Sequence, residues 1–112
     1  MTIFSKILNK EIPAEIVYED KICMAFKDIN PQAPTHVLLI PREEIPTHAD
    51  VDENHQELMG HLMVKAKEIA EKLNLTEHGY RLVINTKEQG GQEVPHLHIH
   101  ILGGRQMRWP PG

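Results

Sequence analysis

The stretch His96-Leu97-His98-Ile99-His100-Ile101-Leu102 decides how this chain is read. Three imidazoles alternate with apolar side chains. On an extended strand, residues two apart share a face. His96, His98 and His100 then form one row, with successive rings about 6.6–7 Å apart, while Leu97, Ile99 and Ile101 point the other way. A slip of one residue would exchange the two faces, so the apolar half sets the register. The pattern predicts a strand over 96–102, stopped by Gly103-Gly104, that presents three imidazoles on one surface.

Imidazole is a nucleophile, a proton donor and a proton acceptor near neutral pH. A phosphoryl or acyl group over the middle ring can be attacked by it, and a neighbouring ring can protonate the leaving group. A solvated surface strand accounts for one such histidine but poorly for three in strict alternation. Metal binding is the sharper rival. Zinc gathers histidine nitrogens tetrahedrally at about 2.0–2.1 Å. Two rings at i and i+2 can converge on one ion, whereas three spanning about 13 Å of strand cannot easily do so. His36 or His48 could complete such a site only through the fold. Gly90-Gly91-Gln92 lies just before the row. Glycine amides can form an anion-binding nest, although hairpin loops use the same pair.

Working outward, Ile3, Phe4, Ile7 and Leu8 have helical spacing over residues 3–10, with Pro13 at the exit. Residues 16–19 and 22–28 read as a hairpin, in which Ile22, Met24 and Phe26 alternate with Cys23, Ala25 and Lys27. His36–Ile40 is a nearly continuous apolar run, hence a buried strand. A long helix is predicted over 53–73, with Asp50 and Asp52 as candidate N-caps. Its stripe is Leu58, Leu62, Ala66, Ile69 and Leu73, widened by Met59, Met63 and Ala70. Lys65, Glu68, Glu71 and Lys72 form the wet face. Residues 80–86 read as a strand, 88–93 as a loop, and 42–52, with His48, as a solvated loop. Five strands with short links predict an α+β fold: an antiparallel sheet with two helices packed on one face.

The 112 residues fit one domain, with 103–112 as a C-terminal tail. A net charge of -4 argues against general nucleic-acid binding, but a few amides suffice for one small anionic ligand. A single cysteine, Cys23, forms no internal disulfide and fits a reducing, cytoplasmic setting. No run approaches a membrane span, and residues 1–10 lack the apolar core of a signal peptide.

The triad and the stretches DINPQAPTHVLLIP (28–41), GYRLVIN (79–85), GGQ (90–92) and LGGRQMRWPPG (102–112) resemble the histidine triad superfamily, in its nucleotide-binding branch. The resemblance spans essentially the whole chain. It implies a homodimer whose two five-stranded sheets join into one ten-stranded sheet. It also implies hydrolysis of purine nucleoside phosphoramidates, releasing a nucleoside monophosphate such as AMP from an amine without metal or other cofactor. His98 would be the nucleophile that forms a nucleotidyl-histidine. His96, His100 and His36 would be its catalytic partners, Asn85 and Gln92 would lie near the phosphate, and Gly91, Glu93 and Val94 would also bind the nucleotide. Asp28 would hold the ribose, where two acceptor oxygens suit a diol. By residue type alone it is a solvated aspartate ending a strand. Phe4, Ile7, Phe26, Ile29 and Leu38 would form the base slot, and Trp109 would reach the partner subunit's pocket. Glu93 stands where many members of this branch have serine, and Pro95 where tyrosine is common. Both departures bear on substrate preference more than on the reaction. Two other readings stay open from the residues: a nucleotide-occupied interaction module with weak hydrolysis, and a zinc-binding module.

Overall fold

The computed structural model describes residues 1–112. Five strands, β1 (Ile16–Glu19), β2 (Cys23–Lys27), β3 (Thr35–Pro41), β4 (Tyr80–Val83) and β5 (Ile99–Gly103), form one sheet in the order β1-β2-β3-β5-β4. Every neighbouring pair is antiparallel. The β1–β2 turn is closed by the Asp20 carboxylate, whose Oδ1 accepts the N–H groups of Ile22 and Cys23. Such a side-chain acceptor makes a tight turn that backbone alone would leave unsatisfied.

Helix α1 (Ile3–Leu8) starts at a capping box in which Thr2 and Ser5 exchange hydrogen bonds. Helix α2 (Gln56–Lys72) follows a 3-10 turn, Glu53–His55, capped by Asp52. The two helices lie on opposite sides of the sheet, not on one face as the short links suggested. Phe4 and Ile7 of α1 pack with Met24, Phe26, Leu38 and Ile40. Leu62, Ala66, Ile69 and Ala70 of α2 pack with Cys23, Ala25, Val37, Leu39, Ile99 and Ile101. The alternation in β2 is apolar on both sides, so each face of the sheet must be covered. The α2 side buries 13 residues and the α1 side 6. The larger core therefore carries most of the apolar stabilisation. The short α1 leaves part of its own face open.

Several local expectations are corrected. Met63 is half exposed and does not widen the buried stripe. Residues 42–52 are not wholly solvated: Ile45 is buried, and its carbonyl accepts the Leu97 N–H at 2.7 Å. The segment expected as a loop at 88–93 begins with one helical turn, α3 (Lys87–Gly90), ended by Gly91 in the left-handed region at φ 79°. Gly103 belongs to β5, so the tail begins one residue later than 103. No helix is long and apolar enough to cross a membrane.

The strand predicted over 96–102 pairs only from Ile99 onward, because Leu39 opposite Ile99 is the last ladder residue of β3 to find a partner there. Pro41 follows and has no N–H to donate. Its carbonyl instead accepts from His96 Nε2 at 2.8 Å. His96 thus sits in a bend, turned into the protein, and the triad is not one flat row.

Candidate active site

His36 and His100 reach the α1 side by strand parity. His36 pairs with Leu102, and His100 with Leu38, across β3 and β5. The two rings are diagonal neighbours, with His36 Nε2 2.9 Å from His100 Nδ1. His98 lies one alternation earlier, 5.0 Å from His100 between ring centroids. That is closer than an ideal strand allows, because the rings lean together edge to face. Phe4 covers His98 at 5.1 Å and stacks edge-on against Phe26 at 5.5 Å. The row expected on a surface is largely buried: His96 is fully enclosed, His98 is 6% exposed and His100 is half-buried, and His36 beside them is 6% exposed.

Hydrogen bonds set the tautomers. The Gln32 N–H donates to His36 Nδ1 at 3.0 Å. A neutral His36 must then carry its proton on Nε2, which donates to His100 Nδ1. The His100 proton is thereby placed on Nε2, a buried atom with no hydrogen-bond partner within the chain. His98 Nδ1–H donates to the His96 carbonyl at 2.7 Å, leaving the Nε2 lone pair free. His96 Nε2–H donates to Pro41, so its Nδ1 is the acceptor, also buried and unpartnered.

Electrostatics keep the supporting rings neutral. Burial pushes His100 down to about 4, helped by His98 and His36 nearby and opposed by Asp28. Burial also lowers His36 against the pull of Asp28. His96 is lowered by burial, which outweighs its bond to Pro41. At neutral pH these three rings therefore act as fixed donors and acceptors.

These rings open onto a cavity of about 570 Å³. His36, His98, His100, Asp28, Ile29, Phe4, Ile7, Phe26, Leu38, Asn85, Gly91, Glu93 and Val94 all line it. Three residues singled out from the sequence do not. His96 faces inward, as above. Gln92 has its side chain committed to structure: Nε2 donates to the carbonyls of Pro46 and Val94, and Oε1 accepts from the Lys87 N–H. Trp109 lies exposed in the tail, outside the lining. Sequence reasoning missed Ile3, Ile12, Pro13, Ala14, Lys27, Asn30 and Gln32, which complete the wall. The proline-marked exit of the first helix was the signal for Ile12, Pro13 and Ala14, and the stretch 28–41 was the signal for Asn30 and Gln32. A smaller hollow of about 350 Å³ beside Met1, Ser5 and Arg42 contains none of the four histidines.

Asp28 sits at the mouth between the two halves of the site. Its Oδ1 accepts the Asn30 N–H at 2.8 Å, and Oδ2 lies 3.4 Å from His36 Nε2. Donor atoms of Asp28, His36 and His100 lie within 4.8 Å of one another, close enough to share a metal ion as well as a proton. An apolar trough (Phe4, Ile7, Phe26, Leu38) thus ends at a wall of imidazoles, with a carboxylate beside it.

The profile of the HIT domain matches residues 9–107. The chain belongs to the HIT family. It is 57% identical over 111 residues to an uncharacterized HIT-like protein of Synechococcus elongatus, covering 99% of this chain and 96% of that one. It is 53% identical over 106 residues to the purine nucleoside phosphoramidase of Escherichia coli K12, covering 95% and 89%. Among solved structures, a HIT family hydrolase from Legionella pneumophila superposes with a TM-score of 0.98 at 53% identity, covering 100% of both chains. A histidine triad nucleotide-binding protein from Candida albicans gives 0.84 at 27%, covering 98% of this chain and 83% of that one. The five-stranded antiparallel sheet and its histidines are thus a HIT fold.

Proposed function

We propose that this HIT protein is a hydrolase that cleaves the P–N bond of purine nucleoside phosphoramidates, with His98 as nucleophile. The carrying observation is the tautomer set at the cavity wall. His98 offers a lone pair at Nε2, and two steps along the chain His100 offers an N–H with no partner in the protein. A nucleophile and a donor side by side suit in-line attack on phosphorus.

In the first step His98 Nε2 bonds to phosphorus and the P–N bond breaks, giving a nucleotidyl-histidine and an amine. The amine takes up one proton, which enters from solvent and is relayed by the imidazole array, while His100 Nε2–H donates a hydrogen bond to a phosphoryl oxygen as charge builds there. In the second step water attacks phosphorus and gives its proton through the array to solvent, the bond from phosphorus to His98 Nε2 breaks, and the nucleoside monophosphate is released. His36 and Gln32 act behind the reacting atoms by holding His100 in the donating tautomer. His96 holds His98 through its carbonyl.

Asp28 keeps lone pairs for the ribose diol beyond the one used by Asn30. The trough of Phe4, Ile7, Phe26 and Leu38, with Ile29 at the rim, takes the purine. Asn85, Gly91 and Val94 border the phosphate, and Glu93 faces the leaving group. The reaction uses no cofactor. The protein acts as one domain over residues 1–112 and as a cytoplasmic homodimer. Its open β4 edge and the exposed Met63 and Val64 of α2 supply the apolar and backbone surface to be covered. In that dimer Trp109 reaches the partner's pocket.

The experiment is hydrolysis of an adenosine phosphoramidate carrying a fluorescent amine, with and without chelator, for the wild type and His98→Ala. Chelator-insensitive cleavage that falls by roughly 10³-fold or more in the variant is expected. Turnover near wild type in His98→Ala would refute the nucleophile.

A further inference from the structure

On the face of the sheet away from the histidines, three donor side chains of different chemistry meet. Asp20 comes from the β1–β2 turn, Cys23 from the start of β2 and His61 from α2. His61 Nε2 is 2.8 Å from Asp20 Oδ2, and the Asp20, Cys23 and His61 donor atoms all lie within 4.8 Å of one another. We propose that Asp20, Cys23 and His61 form a zinc-class metal site that pins the β1–β2 hairpin to α2.

The geometry is near what such an ion needs. Zinc bonds of about 2.0–2.3 Å arranged tetrahedrally set ligand atoms roughly 3.3–3.6 Å apart. The carboxylate and imidazole must part slightly, and the thiol must close by at most about 1 Å. The donor set is selective: thiolate with imidazole and carboxylate suits zinc and neighbouring transition metals, whereas magnesium and calcium take oxygen. Charge also balances. One thiolate and one carboxylate neutralise a divalent ion, as a partly enclosed site requires.

The carboxylate is oriented in advance. Its Oδ1 accepts the N–H groups of Ile22 and Cys23, and the Tyr18 hydroxyl donates to Oδ2 at 2.7 Å. Bonds of this kind behind a ligand hold it in position for a metal. Two cations stand nearby: Lys65 over the Tyr18 ring at 5.5 Å, and Arg42, whose Nε–H donates to the Asp20 carbonyl. They pull the Cys23 thiol toward thiolate, while burial and the Asp20 carboxylate, the larger influences, keep it protonated until a metal takes the proton's place. A hydrogen-bonded Asp20–His61 pair beside a cysteine of the α2-side core is the competing reading, and the titration below separates the two. The side chains of His61 and Asp20 are 31% and 23% exposed, which leaves a way in for the ion and for a water as fourth ligand.

Binding proceeds with a defined proton balance. The Cys23 S–H bond breaks, its proton goes to solvent, and sulfur bonds to the metal. The His61 proton moves from Nε2 to Nδ1, freeing the Nε2 lone pair. About one proton is released per ion. The site lies across the sheet from the cavity, so its readouts are spectroscopic and thermal.

The test is titration of chelator-stripped full-length protein with cobalt(II), followed by zinc in competition. One equivalent is expected to give a thiolate-to-cobalt charge-transfer band with tetrahedral visible bands, both bleached by zinc. Zinc should raise the Tm. Cys23→Val and His61→Gln should each abolish the band, while His36→Asn at the cavity should retain it. His61 is partly exposed, so His61→Gln reports even where Cys23→Val folds poorly. Absence of the charge-transfer band in the wild type, or its survival in His61→Gln, would overturn the proposal. Loss of binding in His36→Asn alone would place the metal at Asp28, His36 and His100 and overturn it equally.

Discussion

Acid should weaken this protein before its carboxylates titrate, and His100 sets the size of the effect. Its folded-state value is pushed down to about 4 from an ordinary 6.5, chiefly by burial. Below 6.5 the unfolded chain binds a proton that the folded chain refuses, so stability falls as pH drops. The contribution is intact above pH 6.5, declines through the window from 6.5 to about 4, and is fully lost below. A shift of that size corresponds to about 3 kcal/mol at the limit and about 2 kcal/mol by pH 5. The ring is partly open to the cavity, so solvent screening brings the pH 5 figure nearer 1 kcal/mol. His36 and His96, both lowered, act in the same direction. Lowered carboxylates such as Glu19, Glu44 and Glu68 contribute chiefly below about pH 4.5, which separates the two effects. Urea unfolding at pH 7.5, 6.5, 5.5 and 5.0 measures the slope. Wild type should lose stability across that range, and His100→Asn should lose about 1 kcal/mol less. Equal slopes for the two proteins would show that His100 is not held neutral by burial.

Two further outcomes follow from packing. Phe4→Ala removes the ring that covers His98 and meets Phe26, and should cost about 3 kcal/mol in denaturant unfolding. It should also lower kcat, because the nucleophile's ring loses a wall; an unchanged kcat would show that α1 does not position it. Gly104→Ala places a Cβ 2.9 Å from Pro34 at a backbone φ of 92°, and should destabilise by about 2 kcal/mol. A Tm within a degree of wild type would contradict the fixed contact between the tail and the 30–34 turn.

Much of the site is legible along the chain because its logic is local. Alternation over 96–102 correctly assigns Leu97, Ile99 and Ile101 to one core. It also puts His98 and His100 on the opposite side. Where the reading fails, the cause is a partner far away in sequence. His96 turns inward because Pro41, fifty-five residues earlier, ends the ladder and supplies a carbonyl. Gln92 has the right chemistry for a phosphate, yet Pro46, Val94 and Lys87 take its amide. The expectation of both helices on one face fails because link length constrains which strands pair but not which side of the sheet a helix covers. Only the two-sided apolar character of Cys23–Phe26 hinted that both faces need cover.

Residue order by itself determined the periodic elements, the histidine alternation and the turn chemistry, since each depends on neighbours within a few positions. The tertiary structure alone decided the protonation pattern. Gln32, His36 and His100 come from a turn and two strands, and only the pairing of β3 with β5 links them into a chain with its donor end at His100 Nε2. A tautomer is set by what lies within about 3 Å of each ring nitrogen. That distance is closed by folding across 64 residues, and no local pattern encodes it.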